Sequence, residues 1–147
     1  MTRTTDGTSR RDAIRRELRE LGLRATVARV AVLEVLREAK TPLTHADVAE
    51  QLDVVGCDRA TVFRNLVALA EAGLVNRTDL GDHTWRFEAV DRDQPDHEHP
   101  HFLCTSCGTV ACIPGLEVRI PRGRRVPKAV KTRSVQVQIK GVCDDCS

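Results

Sequence analysis

Two Cys-x-x-Cys pairs, Cys104 with Cys107 and Cys143 with Cys146, constrain this chain more than any other feature. Two residues between cysteines let a tight turn aim both sulfurs at one point, and zinc takes thiolates at tetrahedral corners. The pairs stand 35 residues apart and can meet only by folding, so they predict one shared structural zinc site. A single Cys-x-x-Cys pair also suits a thiol oxidoreductase, whose reactive thiol is activated at a helix N-terminus in a βαβ setting. Neither pair has that setting, and matched spacing fits one four-ligand site better than two redox centres. The opening segment, Met1 to Glu20, is too charged for a secretory leader, and no apolar run approaches the roughly 20 residues that span a bilayer. A cytoplasmic, reducing location with no membrane contact is therefore expected, in which paired cysteines are metal ligands and not disulfides.

Three Phe, one Trp and no Tyr among 147 residues argue against one large core and for small, stapled domains. Apolar residues recur at helical spacing in four stretches. Ile14, Leu18 and Leu21 precede a stop at Gly22. Val27, Val30, Leu33 and Leu36 follow a cap at Thr26 and end before Pro42. Thr44 and Asp47 form a near capping box ahead of Val48 and Leu52. Asp58 caps a helix bearing Val62, Leu66 and Leu69, which Gly73 terminates. The last two helices suggest a helix-turn-helix. Leu74–Thr78 and Thr84–Glu88 then read as a wing-like hairpin, with Trp85 and Phe87 on one face. This is the order of a winged-helix domain over residues 1–90. An acidic, proline-containing stretch, 91–98, reads as a hinge. Strand candidates at His101–Cys104, Thr109–Ile113 and Ser134–Lys140, the last alternating Val135, Val137 and Ile139, make a sheet-based second domain over 99–147. The class is α+β, and any helix between Gly115 and Lys131 is short.

His97, His99 and His101 fall at i, i+2 and i+4, which share one face of an extended strand, while Cys104 has the opposite parity. That parity points to a second metal site distinct from the cysteines, with His83 at the wing tip as a further ligand; a solvated polar linker is the competing reading.

Taken together, Leu21-Gly-Leu-Arg-Ala-Thr-Val-Ala-Arg, Ala60-Thr-Val-Phe-Arg-Asn-Leu, Ala72-Gly-Leu-Val, His99-Pro-His-Phe-Leu-Cys-Thr-Ser-Cys-Gly and the closing Cys143 pair resemble the ferric uptake regulator family of bacterial metal-sensing transcription factors. The resemblance covers most of the chain. It implies a homodimer whose winged helices grip double-stranded operator DNA, and whose small C-terminal α/β domains dimerise around structural zinc. It also implies a second, exchangeable divalent metal (zinc, iron or manganese, with peroxide sensing through iron as a variant) that controls the angle between domains. The chain departs from the family pattern at Phe63, where tyrosine is usual, at Pro42, where many members place a sensing histidine, and at Gly81, which matches the wing glutamate. A further family site depends on positions that are here Glu98, Pro100 and Val135, and is expected to be absent. The regulatory set expected is thus His83, His99, His101 and His97; whether His45, Cys112 or Glu88 joins it stays open at the level of sequence.

On the helix opened by Asp58, Arg59, Thr61, Phe63 and Arg64 lie away from the core face and are the candidates for the DNA groove. Arg77 on the wing and the arginines of the first helix are candidates for phosphate contact. The function expected is a metal-responsive DNA-binding regulator, a repressor. The alternatives are a metal-independent regulator keeping only its structural zinc, and a thiol redox protein. The sequence carries no phosphate loop, nucleophile elbow or paired catalytic carboxylates, so no enzyme is expected.

Overall fold

The computed structural model of the protein describes residues 4–90, 100–120, 123, 125–132, 135 and 137–147. The chain divides into two compact units, Met1–Arg92 and Asp93–Ser147. The expected hinge, 91–98, lies outside the described residues.

In the first unit, four helices realise the four apolar periodicities. α1 (Thr4–Glu20) buries Ile14 and Leu18, and α2 (Val27–Glu38) buries Val30, Val32, Leu33 and Leu36. Thr26 caps α2, its hydroxyl accepting the Arg29 amide at 3.2 Å. Val27, expected on the core face, is instead 78% exposed. Helical side chains lean toward the N-terminus, so a first-turn residue points past the end of the packed stripe. α3 (His45–Asp53) starts in a complete capping box: the Asp47 amide donates to Thr44 Oγ1 at 3.1 Å, and the Thr44 amide to Asp47 Oδ2 at 2.9 Å. α4 (Arg59–Glu71) is capped by Asp58, whose Oδ1 accepts the Thr61 amide at 2.7 Å, and buries Val62, Leu66 and Leu69 completely. Gly73, at φ 76°, closes it with the Leu74 amide on the Leu69 carbonyl at 3.0 Å, a conformation that costs a β-carbon least when glycine holds it.

β2 (Val75–Asp79) and β3 (Trp85–Ala89) form the antiparallel hairpin. A two-residue strand, β1 (Leu43–Thr44), pairs with the other edge of β3 and makes a third strand that the sequence did not announce. Phe87, on the central strand, is 1% exposed and joins the helical core. Trp85 shares its face but stands at the turn end of the hairpin, 46% exposed.

Among its described residues the second unit has a three-stranded sheet in the order β5-β4-β6, from β4 (His101–Cys104), β5 (Val110–Cys112) and β6 (Gln138–Gly141), and one short helix, α5 (Lys128–Lys131). β5 runs antiparallel to β4, and β6 parallel to it. The strand expected from Ser134 begins only at Gln138. Its pairing runs from His101↔Gln138 to Cys104↔Gly141, so Val135 and Val137 precede the first paired residue and stay exposed. Ser134 lies outside the described residues. Among the described residues of this unit, only Leu103 and Cys104 are buried.

Leu66 sits at the centre of the helical core with no exposed surface. Leu66→Ala is expected to destabilise the first unit by roughly 2–5 kcal/mol through lost transfer energy and a residual cavity, read as a lower urea midpoint by circular dichroism.

Candidate metal centre and nucleic-acid interface

Parallel pairing brings the two cysteine knuckles together. Strands that run the same way end at the same edge of the sheet, so the turn after β4 and the turn after β6 emerge side by side. The first turn, Thr105 to Cys107, is closed by the Gly108 amide on the Cys104 carbonyl at 3.0 Å, with Gly108 at φ 76°. The second is closed by the Cys146 amide on the Cys143 carbonyl at 3.0 Å. The Thr105 amide, donating to the Gly141 carbonyl at 2.8 Å, ties the two turns together. One ligand sulfur from each of Cys104, Cys107, Cys143 and Cys146 then lies within 4.8 Å of the other three. Four sulfurs bound at about 2.3 Å around a tetrahedral ion would stand about 3.8 Å apart. The Cys107 and Cys143 sulfurs are 3.7 Å apart, so the donor set fits zinc in both chemistry and spacing.

The charge of this cluster is partly supported by the backbone. The Cys107 amide at 3.5 Å and the Cys143 amide at 3.3 Å both point at Cys104 Sγ, and together they draw its thiol down to about 6. The Thr109 hydroxyl, 3.1 Å from Cys107 Sγ, lowers that thiol as well. Cys146 goes the other way, pushed up to about 12, chiefly by its neighbour Cys143 and then by Cys107. Four crowded sulfurs hold some negative charge but resist losing the last proton, and a dication at their centre removes that resistance.

The candidates for a second metal are distributed differently. His101 opens β4 half-buried, and its register partner on β5 is Cys112, so the two side chains share one face of the sheet. His83 is exposed at the wing tip with φ 60°, in a turn where the Gly81 amide donates to Asp79 Oδ1 at 2.7 Å. Beside it, Asp82 pairs with Arg86 at 2.9 Å, which holds its carboxyl below the ordinary range. His97 and His99 lie outside the described residues. His45 makes a different contact: its Nε2 lies 2.7 Å from the Arg59 carbonyl.

On α4, Arg59, Phe63 and Arg64 are exposed and Thr61 is half-buried, opposite the buried Val62, Leu66 and Leu69. Arg64 reaches the Thr61 hydroxyl at 3.3 Å. Arg77 is exposed on β2 and lies over the Trp85 ring, 3.8 Å from its centroid, a cation–π contact that presets the guanidinium on the wing. The arginines of α1 also make ion pairs within the unit. Arg10 and Arg11 pair with Glu38 and Glu34 of α2, each at 2.9 Å, and Arg15 with Asp12 at 2.8 Å. The first two pairs join α1 to α2 and the third lies within α1, while Arg16, Arg19 and Arg24 stand exposed beside them. Sequence reasoning also passed over a buried link. Asn65 Oδ1 accepts from Arg29 Nε at 3.0 Å while its Nδ2 donates to the Thr61 carbonyl at 3.0 Å, fastening α4 to the start of α2. A polar residue inside the Val62-to-Leu69 apolar stripe was the available signal.

The model of the ferric uptake regulator family matches residues 20–140. Among similar proteins, the peroxide operon regulator of Bacillus subtilis is 33% identical over 134 residues, covering 88% of each chain. The crystal structure of the Vibrio cholerae ferric uptake regulator superposes with a TM-score of 0.65 at 22% identity, covering 88% of this chain and 98% of that one. A zinc uptake regulator solved with zinc and DNA superposes with a TM-score of 0.61 at 19% identity, covering 98% of this chain and 96% of that one.

Cys143→Ser removes one of the four sulfurs and a corner of the tetrahedron. Zinc retained through dialysis against EDTA, measured by plasma mass spectrometry, is expected to fall from about one ion per chain to near none; undiminished zinc would contradict a shared four-cysteine site.

Proposed function

This chain belongs to the ferric uptake regulator family, whose model matches most of its length, and from that premise we propose that it is a metal-responsive DNA-binding regulator of transcription, acting as a repressor. The observation that carries the proposal is the outward face of α4, where Arg59, Phe63 and Arg64 stand exposed on a helix whose other side is locked into the core. Arginine can pair bidentately with guanine or neutralise phosphate, and an aromatic ring without a hydroxyl favours apolar contact with a thymine methyl group. Thr61 contributes at the groove, and Arg77 contacts phosphate from the wing. The role is regulatory and not catalytic: four thiolates fill a zinc shell and leave no open coordination position. Among the described residues no helix is long and apolar enough to cross a membrane, and a DNA-binding repressor works in the cytoplasm.

We assign the division of labour as a DNA-binding winged helix over 1–90, a hinge over 91–98 and a zinc-binding dimerisation domain over 99–147. Leu116, Val118 and Ile120, all exposed in the irregular segment after β5, support the last assignment, since a unit that leaves apolar side chains in water gains by meeting a second copy. A two-fold dimer in turn matches an operator with two half-sites. The metal signal is assigned to His83, His99 and His101 with His97. Relatives and neighbours are named for peroxide, ferric iron and zinc. Here the facing of His101 and Cys112 adds a soft thiolate to imidazole and favours zinc over iron and manganese.

Metal-by-metal titration of DNA affinity, on protein keeping its cysteine-bound zinc, tests this reading. His101→Ala is expected to abolish the metal response in a gel-shift assay while the cysteine-bound zinc and dimer mass are unchanged; a persisting response would contradict the assignment. Arg64→Ala is expected to weaken specific binding by about 1–3 kcal/mol if Arg64 reads a base, and Arg77→Ala to lower the salt slope by about 1 across all sequences. Wild-type affinity that responds to no metal would favour the metal-independent reading.

A further inference from the structure

His45 touches the groove-facing side of α4 at two points from a different helix. It is the first residue of α3, directly after Thr44, so its backbone is held by the reciprocal Thr44–Asp47 bonds. Its Nε2 lies 2.7 Å from the Arg59 carbonyl. A carbonyl only accepts, so Nε2 carries the hydrogen and the ring is fixed in that tautomer and orientation. The same ring stacks against Phe63, with centroids 5.4 Å apart and planes at 60°, within the tilted geometry that aromatic pairs prefer. Arg59 and Phe63 are one turn apart on the same side of α4. One imidazole therefore spans the two residues that the DNA-binding reading places in the groove.

We propose that His45 is a positioning residue that sets the Phe63 ring for base contact and thereby tunes sequence preference. The inference rests on the reading that α4 enters the groove. Phe63 is 45% exposed and carries no hydroxyl, so no hydrogen bond can orient it, and packing must do so. A ring held before DNA arrives loses less freedom on binding than one that must be ordered there. The effect falls on discrimination between sequences, because the arginine-to-phosphate contacts that set general affinity are separate from this pair.

The test uses full-length, zinc-loaded protein and fluorescence anisotropy with two labelled duplexes, one enriched by the wild type from a random-sequence pool and one unrelated duplex of equal length. His45→Ala is expected to reduce the affinity ratio between them about tenfold, the scale of one good base contact. The salt slope and zinc content stay at wild-type values. His45→Gln places an amide donor within reach of the Arg59 carbonyl but has no ring, and is expected to keep the melting temperature and lose the ratio as His45→Ala does. In a Phe63→Leu background, His45→Ala is expected to change the ratio no further. The assignment is overturned if His45→Gln keeps the wild-type ratio, which would make the residue a structural hydrogen-bond donor, or if His45→Ala acts equally with and without Phe63. A wild type that enriches no duplex overturns the DNA-binding reading and this assignment with it, whereas enrichment with an unaltered His45→Ala ratio overturns this assignment alone.

Discussion

The convergence of four cysteine sulfurs at one end of a small sheet is the interaction on which the second unit depends. Among its described residues this unit buries only Leu103 and Cys104, far less apolar surface than holds an ordinary domain. Metal binding fills that gap, because ligands scattered in the unfolded chain form a site only in the folded one, and structural zinc contributes roughly 10–16 kcal/mol in small metal-folded peptides. The topology is what makes the site available. With β6 parallel to β4, both knuckles leave the same edge; an antiparallel β6 would carry the Cys143 pair to the far end of the sheet. The opposite pulls on Cys104 and Cys146, one thiol drawn down by amides and the other pushed up by its neighbours, describe a cluster whose last charge waits on a cation.

The first unit is built on the opposite principle. Its core is apolar and runs continuously from Ile14 through Leu69 to Phe87, so stability does not depend on a metal, and the outer face of α4 is released for recognition. That face is nonetheless held firmly. Asp58 caps the helix, Asn65 links it to Arg29 on α2, and His45 braces its first turn from α3. Rigid support behind an exposed polar and aromatic face is what a reader of DNA sequence requires, since freedom lost on binding subtracts from affinity.

Much of this was legible in the sequence, and the pattern of what was not has physical causes. Helix periods, the Thr26, Thr44 and Asp58 caps and the Gly73 stop are local signals, each decided within a turn or two of chain, and so α2, α3 and α4 stand where they were expected, whereas α1 begins at Thr4, ahead of the expected start at Arg11. The cysteine knuckles are local as well. By contrast, β1 is two residues long and exists only because β3 pairs with it, and β6 begins at Gln138 because β4 offers just four partners. Alternation at Val135 and Val137 says that a strand could form there, whereas the pairing itself is set by the register with β4. The Arg10–Glu38 and Arg11–Glu34 pairs are equally non-local, which is why no sequence signal showed that part of the charge of α1 joins it to α2. Phe63 was recognised as a departure from the family pattern, but His45, 18 positions earlier, gave no sign of its contact with that ring.

Amide hydrogen exchange on the full-length protein, before and after complete removal of zinc, tests most directly the claim that a four-thiolate zinc site holds the second unit. Loss of protection across β4, β5 and β6, with α2, α3 and α4 protected as before, is the predicted result. Undiminished protection in those strands after the metal is gone would contradict it.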